Sequence, residues 1–313
     1  MSAAGAEGRS FTCLVNPHSG AGASLEYVVD LARVLREHGA SVEVSYTASP
    51  QAVRPLAEAA HERGDVVVAV GGDGMVASIV GPMSDLASSG DADRVPVLGI
   101  APAGRGNDFA RMLEVPEGAE ALARRLLESD ARDVDVLDVR SGGSSWVVAG
   151  SVYAGADAHA AAMVARMRRT PKALQYPIAA IRAIATYVPH RYRLVVDGEE
   201  REVAAATVIV ANSAYYGAGM KVAPAAVVDD GLLDVVVVGA GSRVELATAF
   251  PKIYDGSHVD HPKVTVLRGR EVELSALDER PVPLGADGED LGLLPRPGDP
   301  LRISVRHRAL RVL

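Results

Sequence analysis

The sequence has little of several features that define common protein classes. Its 313 residues include one cysteine, Cys13, so an intramolecular disulfide and any multi-cysteine metal site are excluded. No stretch supplies the roughly 18 unbroken apolar residues that a membrane-spanning helix needs, and residues 1–10 contain no apolar signal region. We therefore expect a soluble, cytoplasmic protein in which Cys13, inside the apolar run 11–15, is a small core residue without chemistry.

Positive charge is also scarce. Lys and Arg total 32 against 40 Asp and Glu, and the net charge of -8 argues against a general nucleic-acid binder. Apolar residues make up 48% of the chain and charged residues 23%, which is typical of a globular protein. Because the length exceeds that of most single domains, we expect two domains, each with its own core.

The first 140 residues alternate short apolar strand patterns with amphipathic helical patterns, which is typical of a doubly wound, Rossmann-like α/β domain. We assign this domain to residues 9–140. The predicted strands are 11–15, 41–47, 66–70 and 97–100, and the predicted helices are 24–38, 50–63 and 116–129. Ser49 is expected to cap the second of these helices, with Pro50 in its first turn.

Residues 141–313 are expected to form a second domain of antiparallel strands with one helical insertion at about 157–188. Strand patterns from the domain boundary onward cover 134–140, 146–149, 193–196, 207–211, 232–238, 263–268 and 271–275. The last stretch, 296–313, contains a strand-like pattern at 301–305 and could return to the first domain.

Three glycine-containing loops, 16–22, 71–74 and 102–111, follow strands of the first domain and should emerge at one edge of a parallel sheet. Glycines allow a close backbone approach, and the bare amides of a helix start can receive anionic oxygens. The pattern predicts a nucleotide-phosphate site in which Asp73 faces Mg-bound phosphates. A tight turn with Asp73 as a helix cap is the simpler alternative. Neither a Walker lysine motif nor a dinucleotide fingerprint is present.

These loops, together with two motifs further along, resemble the diacylglycerol kinase catalytic family, which also includes sphingosine, ceramide and bacterial lipid kinases. The motifs are Asn-Pro-x-Ser-Gly from residue 16, Gly-Gly-Asp-Gly from 71, Pro-x-Gly-x-x-Asn-Asp-Phe-Ala-Arg from 102, Ala-Pro-x-Ala and Asp-Asp-Gly-Leu-Leu-Asp within 223–234, and Asp-Gly-Glu at 287–289. Each is common by chance. Their shared order and spacing make the resemblance specific, and it covers nearly the whole chain.

The resemblance implies a fold of the NAD kinase and diacylglycerol kinase type, with ATP on the first domain and the lipid in a cleft against a C-terminal antiparallel β-sandwich. It implies an Mg²⁺-dependent transfer of the γ-phosphate of ATP to the free hydroxyl of diacylglycerol or a similar lipid alcohol. Peripheral membrane association follows from such a substrate, and a homodimer is compatible with the family. Diacylglycerol, sphingoid bases, ceramide and phosphatidylglycerol all stay open as acceptors, because apolar pocket walls discriminate by shape.

By similarity, specific residues receive roles. Those expected to contact the nucleotide are Asn16, Pro17, Ser19, Gly20, Gly22, Thr47, Gly71, Gly72, Asp73, Gly74, Met75, Gly104, Arg105, Asn107 and Asp108. Glu289 matches the proton acceptor of bacterial diacylglycerol kinases, Asp73 matches the acidic group of related sphingosine kinases, and Asp287 belongs to the same catalytic motif as Glu289. A metal site is expected from the Asp230 carboxylate with Val227 and Leu232. On the residues alone, the segments 229–230 and 287–289 are equally typical of solvated turns.

Two departures from the family pattern affect the expected phosphate site. Met75 stands where many members carry threonine, and the pair Ala77 and Ser78 replaces a frequent Asn-Glu pair. Arg105 stands where many bacterial members have threonine, and we hypothesise that its guanidinium contacts the phosphates and partly replaces the lost polarity. A solvent-facing arginine is the alternative.

Residues 158–196 contain no acidic residue. Their basic residues include Arg166, Arg168, Arg169, Lys172, Arg182, Arg191 and Arg193. Because apolar residues are interleaved with them, we predict amphipathic helices that face an anionic membrane. An ordinary helical cover with solvated arginines is the alternative.

Two other functions stay open. A soluble-substrate kinase of the NAD kinase type shares the Gly-Gly-Asp-Gly site, although the motif at 107–111 and the Asp230 region favour a lipid kinase. A non-catalytic nucleotide- or lipid-binding regulator is compatible with Met75, although the retained Asp73 and Glu289 argue against it.

Overall fold

The computed structural model describes residues 8–16, 23–89, 95–104, 106–166, 178–179 and 182–313. The chain divides into two compact units, one comprising Met1–Asp135 and His307–Leu313 and the other Val136–Arg306. The boundary that the sequence suggested, after residue 140, lies within a long strand that runs from the first unit into the second. In this structure the last seven residues belong to the first unit.

The first unit is built from alternating strands and helices. Its elements are β1 (Ser10–Val15), α1 (Ala23–Glu37), β2 (Ser41–Tyr46), α2 (Val53–Arg63), β3 (Val66–Gly71), α3 (Asp73–Ser89), β4 (Val97–Pro102), α4 (Asp108–Met112), α5 (Ala119–Glu128) and the start of β5 (Arg132–Ser141). The predicted cap at Ser49 is wrong, because its side chain accepts no cap hydrogen bond from the described backbone. A short 3-10 turn, Pro50–Ala52, instead precedes α2.

A parallel sheet forms the centre of the first unit. β1 pairs with β2 and β3, β3 pairs with β4, and the last residues of the final strand pair with β4. The central strands are nearly continuous runs of buried apolar residues, as expected where helices cover both faces of a sheet. Helices α1 and α5 pack on one face together with Cys13, whose burial raises the pKa of its thiol to about 12. Cys13 is therefore the inert core residue that its sequence context predicted.

The second unit consists mainly of antiparallel strands. Its elements are the rest of β5, β6 (Ser144–Val148), β7 (Ser151–Gly155), α6 (Ala156–Arg166), β8 (His190–Val196), β9 (Glu199–Ala211), β10 (Leu233–Gly239), α7 (Arg243–Ala249), β11 (Val264–Gly269), β12 (Glu271–Ala276), β13 (Pro283–Ala286), β14 (Glu289–Leu293) and most of β15 (Leu301–Val312). Two further 3-10 turns cover Phe250–Ile253 and Ser257–Asp260.

The strand order of the second unit is β14-β13-β7-β9-β8-β12-β15, with β10 added on β9, β11 on β10, and β5 on β15. Alternating side chains fill its core, which includes buried residues of β7, β8, β9 and β10. The short strands β7, β13 and β14 were not anticipated. β13 and β14 are joined by the two-residue turn Asp287-Gly288, and both residues have positive φ, as a tight antiparallel hairpin requires.

The basic residues of the segment 158–196 do not lie on one common surface element. Arg191 and Arg193 lie on strand β8 and pair with Glu202, Glu200 and Glu273, so they do not belong to a basic helical surface. Arg168, Arg169 and Lys172 lie outside the described residues. None of the helices in the described part of the chain is long and apolar enough to cross a bilayer.

Candidate active site

The predicted loop at 71–74 turns directly from strand β3 into helix α3. The carbonyl of Gly72 accepts hydrogen bonds from the amides of Met75, at 2.9 Å, and Val76, at 3.3 Å. Gly71 is buried at the end of the strand, whereas Gly74 is exposed on the first turn of the helix. The amino end of a 17-residue helix therefore lies at the carboxyl edge of the parallel sheet, where its amides and dipole favour an anion.

The loop after β4 lies directly against the loop after β3. The amide of Ala103 donates to the carbonyl of Gly71 at 2.8 Å. One step further, a Cβ atom on Gly104 would lie 2.2 Å from the Cα of Gly72, far inside van der Waals contact. No side chain fits at Gly104, and this close approach is the physical reason for a glycine there.

Asp73 fastens the two loops together. One carboxylate oxygen accepts the amide of Asp108 at 2.7 Å, and the other accepts the amide of Asn107 at 2.9 Å. Asp73 thus binds the start of a neighbouring helix, α4, while it begins α3 itself. Both oxygens are engaged by the backbone, so the geometry gives Asp73 an anchoring role.

Asn107 closes the loop after β4 on itself. Its φ of 51° lies in the left-handed region that asparagine tolerates better than most residues. Its side-chain oxygen accepts the amide of Gly104 at 3.0 Å, and its side-chain nitrogen donates to the carbonyl of Gly104 at 3.2 Å. The side-chain amide supplies this donor and this acceptor together. Asp108 then begins α4.

A cavity of about 250 Å³ opens beside these loops. It brings together four residues with predicted nucleotide contacts, Asn16, Thr47, Gly74 and Met75. Thr47 is buried, and its hydroxyl donates to the carbonyl of Val15 at 3.3 Å. Pro17, Ser19, Gly20, Gly22 and Arg105 lie outside the described residues, so the predictions made for them stay predictions.

The sequence reasoning did not assign part of this lining. Ser49, Pro50 and Val53 also line the cavity, because the turn after β2 reaches the same sheet edge. Ser78 lines it as well, and its hydroxyl donates to the carbonyl of Met75 at 2.8 Å. The Ser-Pro start of a helix after a parallel strand was the available signal, since such loops share one edge of the sheet.

In the second unit, the turn between β13 and β14 carries the other predicted catalytic residues. The Asp287 carboxylate accepts three consecutive backbone amides, from Ala149 at 2.9 Å, Gly150 at 3.1 Å and Ser151 at 2.8 Å. Consecutive amides of this kind form a concave anion site, here filled by a side chain of the protein itself. Asp287 therefore holds the turn in place.

Glu289 follows this fixed turn as the first residue of β14. Its side chain is exposed, and it forms no ion pair with any described residue. The adjacent amide of Gly288 donates to the Tyr153 hydroxyl at 3.0 Å, which adds a second anchor to the turn. The arrangement places the exposed carboxylate of Glu289 on a rigidly attached hairpin.

The predicted metal residues lie near the start of β10, but the carboxylate is already engaged. One oxygen of Asp230 accepts the amide of Leu232 at 3.0 Å, and the other pairs with the Arg268 guanidinium. Arg268 also contacts the buried Asp234, whose burial raises the pKa of that carboxyl group. Val227 is exposed. Among the described residues, no group of three or more acidic, histidine or cysteine side chains is placed to hold a metal ion.

The second unit also contains an apolar cavity of about 120 Å³. Side chains of α6, β9, α7 and the following 3-10 turn form its walls, among them Ile209, Leu246 and Phe250, and Ile184 from another segment also lines it. Among the described residues, Asp157 is the one acidic side chain in the lining, and it accepts a hydrogen bond from the Thr207 hydroxyl at 3.3 Å. Burial of this carboxyl group raises its pKa to about 6. An apolar cavity with so few polar atoms suits a hydrocarbon chain.

Comparisons with known proteins agree with this two-unit arrangement. The model of the diacylglycerol kinase catalytic domain matches residues 10–139, and that of the YegS C-terminal NAD kinase beta sandwich-like domain matches residues 150–313. A diacylglycerol kinase from Mycobacterium tuberculosis (strain ATCC 25618 / H37Rv) is 31% identical over 308 residues, covering 96% of this chain and 94% of that protein. A probable YegS-like lipid kinase from Stenotrophomonas maltophilia (strain K279a) is 28% identical over 256 residues, covering 81% and 82%.

A solved structure is similar over almost its whole length. It is that of a putative diacylglycerol kinase from Bacillus anthracis str. Sterne, which has a TM-score of 0.74 at 18% identity and is covered to 96%, with 97% of this chain matched. At that identity the likeness concerns the fold. It confirms the predicted N-terminal α/β domain and C-terminal antiparallel β-sandwich.

Proposed function

The chain belongs to the diacylglycerol kinase family, and on that premise we propose that it transfers the γ-phosphate of ATP to the free hydroxyl of diacylglycerol or a similar lipid alcohol. Its relatives are named diacylglycerol kinase and probable lipid kinase. A lipid acceptor resides in a bilayer, so the proposal includes peripheral association with a membrane surface.

The observation that carries the lipid acceptor is the apolar cavity of the second unit. Its lining consists mainly of alanine and large apolar side chains, with one carboxylate at Asp157. A soluble acceptor such as a nucleotide would need several polar partners, because unpaired polar groups are costly to bury. A hydrocarbon chain needs none, and each buried methylene stabilises binding by about 0.8 kcal/mol.

The described residues of the first unit fit a nucleotide. Exposed Gly74 lies on the first turn of α3, and Asn16 and Ser78 add polar side chains to the same cavity. When bound there, ATP supplies the phosphoryl group and the charge that helix amides can neutralise. The chain's own contribution is to hold the glycine loops in one fixed arrangement, which Asp73 achieves by clamping the amides of Asn107 and Asp108.

We assign proton acceptance to Glu289 and positioning to Asp73 and Asp287. A proton acceptor needs a free lone pair within reach of the acceptor hydroxyl. The Glu289 carboxylate is exposed, whereas both oxygens of Asp73 and of Asp287 accept backbone amides. Asp287 keeps the hairpin that carries Glu289 on the 149–151 loop.

Magnesium is proposed as the partner of ATP, since phosphoryl transfer depends on neutralising phosphate charge. The described residues do not fit a metal ion at Asp230, because Arg268 already pairs with that carboxylate. A cation would have to displace the guanidinium. The site predicted from Asp230, Val227 and Leu232 therefore stays a prediction and takes no part in the proposed chemistry.

The test is transfer of labelled γ-phosphate from Mg-ATP to diacylglycerol, sphingosine, ceramide or phosphatidylglycerol in mixed micelles, with NAD as a soluble acceptor. We expect label in one lipid, lost in Glu289→Gln. Asp290→Asn is the matched control, because Asp290 is an exposed carboxylate on the same hairpin that accepts only the nearby amide of Gly292 among the described residues. Label in NAD alone would indicate a soluble-substrate kinase. Bound ATP without any transfer would indicate a binding-only regulator.

A further inference from the structure

A second cavity of the C-terminal unit, called the basic cavity below, carries one arginine and two histidines among small and apolar lining residues. It has a volume of about 390 Å³, and the side chains of His159, Thr186, His190 and Arg280 contribute to its lining. None of these residues takes part in the proposed phosphoryl transfer. The four side chains offer hydrogen-bond donors, and three of them can carry positive charge.

Arg280 provides the permanent charge of this cavity. Its guanidinium has five N–H donors, and one terminal nitrogen donates to the carbonyl of Pro189 at 3.2 Å. Its positive charge also interacts with His190. Burial, followed by this charge, lowers the pKa of His190. Both side chains line the same cavity.

His190 is largely buried, and its Nδ1 atom makes no hydrogen bond within the described part of the chain. The Asp278 carboxylate lies 3.6 Å from that atom, too far for a hydrogen bond. The same carboxylate is 3.9 Å from Arg280 and accepts the amide of Arg191 at 2.9 Å. One carboxylate thus faces one guanidinium and an imidazole, and the lining of the cavity itself contains no acidic side chain among the described residues.

The basic cavity and the apolar cavity have three lining residues in common. Ala156, Ala183 and Tyr187 line both of them. A ligand that reached both cavities would place an apolar chain in one and an anionic group in the other. A guanidinium with free donors next to imidazoles is a recognised way to hold phosphate oxygens.

We propose that the cavity lined by His159, His190 and Arg280 binds the phosphate group of an anionic lipid. The shared chemistry is a phosphate ester or free phosphate, and the adjoining apolar cavity favours the lipid as its source. The lipid source rests on the proposed function, because the apolar cavity is also the proposed place of the acceptor's hydrocarbon chain. The phosphate site itself does not depend on turnover.

The experiment measures binding to the full chain by titration calorimetry without ATP, so that no transfer can occur. The probes are short-chain phosphatidic acid, the matching short-chain diacylglycerol, and inorganic phosphate. We expect Arg280→Gln to weaken phosphatidic acid binding about tenfold, which corresponds to about 1.4 kcal/mol, and to change diacylglycerol binding less than twofold. Arg280→Lys should restore part of the affinity.

Arg296→Gln is the matched control, because Arg296 also donates to a backbone carbonyl, that of Glu279, and does not line the cavity. Thermal unfolding of each variant shows whether it is folded. Unchanged phosphatidic acid binding in both Arg280→Gln and His190→Gln would overturn the proposal, as would the absence of any phosphate or phosphatidate binding to the unaltered chain.

Two further outcomes distinguish the phosphate site from its proposed lipid source and from the proposed kinase function. Inorganic phosphate that binds as tightly as phosphatidic acid, with the same loss in Arg280→Gln, would support the phosphate site and overturn its lipid source. Phosphatidic acid binding by a chain that phosphorylates no lipid would support this site and refute the proposed function.

Discussion

Substitution of Asp287 is the most direct test of how the second unit positions Glu289, the proposed proton acceptor. In Asp287→Asn one of the two oxygens becomes an NH₂ group, which cannot accept a backbone amide. The change keeps the left-handed backbone, since φ at this residue is 45° and asparagine tolerates that region. What it removes is charge and part of the bonding to Ala149, Gly150 and Ser151.

The size of the effect follows from these contacts. A hydrogen bond to a charged group contributes about 1.5 to 3 kcal/mol, and a buried donor left without a partner costs a similar amount. Losing the equivalent of one such bond, with some repulsion between facing donors, should lower the free energy of unfolding by about 2 to 4 kcal/mol. Because Glu289 lies two residues beyond the anchor, we also expect kcat to fall roughly 100-fold, as a displacement of about 1 Å can cause.

Asp197→Asn is the matched control. Asp197 also precedes a glycine in a two-residue hairpin turn with positive φ, at 48°, and its carboxylate accepts the amides of Arg270 and Glu271 at 2.8 and 2.9 Å. Urea unfolding and kcat for the best lipid acceptor are measured for both variants. We expect Asp197→Asn to lose less stability, because one oxygen accepts both amides and asparagine keeps that oxygen. Only Asp287→Asn should lose kcat. Equal kcat in the two variants would refute the positioning role of Asp287.

Three further predictions concern the loops of the first unit and the buried carboxyl group of the second. Gly104→Ala should weaken ATP binding at least about tenfold in calorimetry, since its Cβ would lie 2.2 Å from the Cα of Gly72 and must push the loops apart; unchanged affinity would show that this contact does not shape the site. Asn107→Asp should lower stability by about 1 to 2 kcal/mol in thermal unfolding, because it loses the donor to Gly104 and adds a second carboxylate beside Asp73; a stability equal to that of the unaltered chain would contradict it. Burial raises the pKa of Asp157 from 3.8 to about 6, so the folded chain binds the proton more tightly than the unfolded chain and loses stability as pH rises across that window. Asp157→Asn removes this loss, so the stability of the variant minus that of the unaltered chain should be larger at about pH 8 than at about pH 4 in urea unfolding. If this stability difference is the same at both pH values, the raised pKa of Asp157 is refuted.

The sequence by itself determined the parallel sheet of the first unit and the location of its glycine loops. Apolar runs such as 66–70 are long enough for buried strands and too short for most helices. Loops that follow parallel strands meet at one edge whatever their detailed geometry, so the loops that carry Asn16 and Gly74 could be grouped before any contact was known. Thr47 was assigned to the site by family resemblance alone. Family resemblance added the catalytic candidates, which local turn chemistry alone would have left as solvated turns.

Sequence reasoning was weaker in the second unit. The strands β7, β13 and β14 are only four or five residues long, and their pairing partners lie far along the chain. Arg191 and Arg193 looked like part of a basic surface, yet cross-strand glutamates pair with both. A periodic pattern indicates which type of element a segment can form. It carries no information about which distant strand will pair with that segment.

Only the tertiary structure decided what the acidic residues do. Asp73 and Asp287 stand in motifs that suggest a catalytic role, but the oxygens of each carboxylate accept hydrogen bonds from backbone amides. One of these donors, Ser151, lies 136 residues from Asp287 along the chain. Arg268 reaches Asp230 in the same way, from a neighbouring part of the sheet. A carboxylate's role depends on which donors lie within about 3 Å of it, and chain folding brings those donors from distant segments that no local pattern encodes.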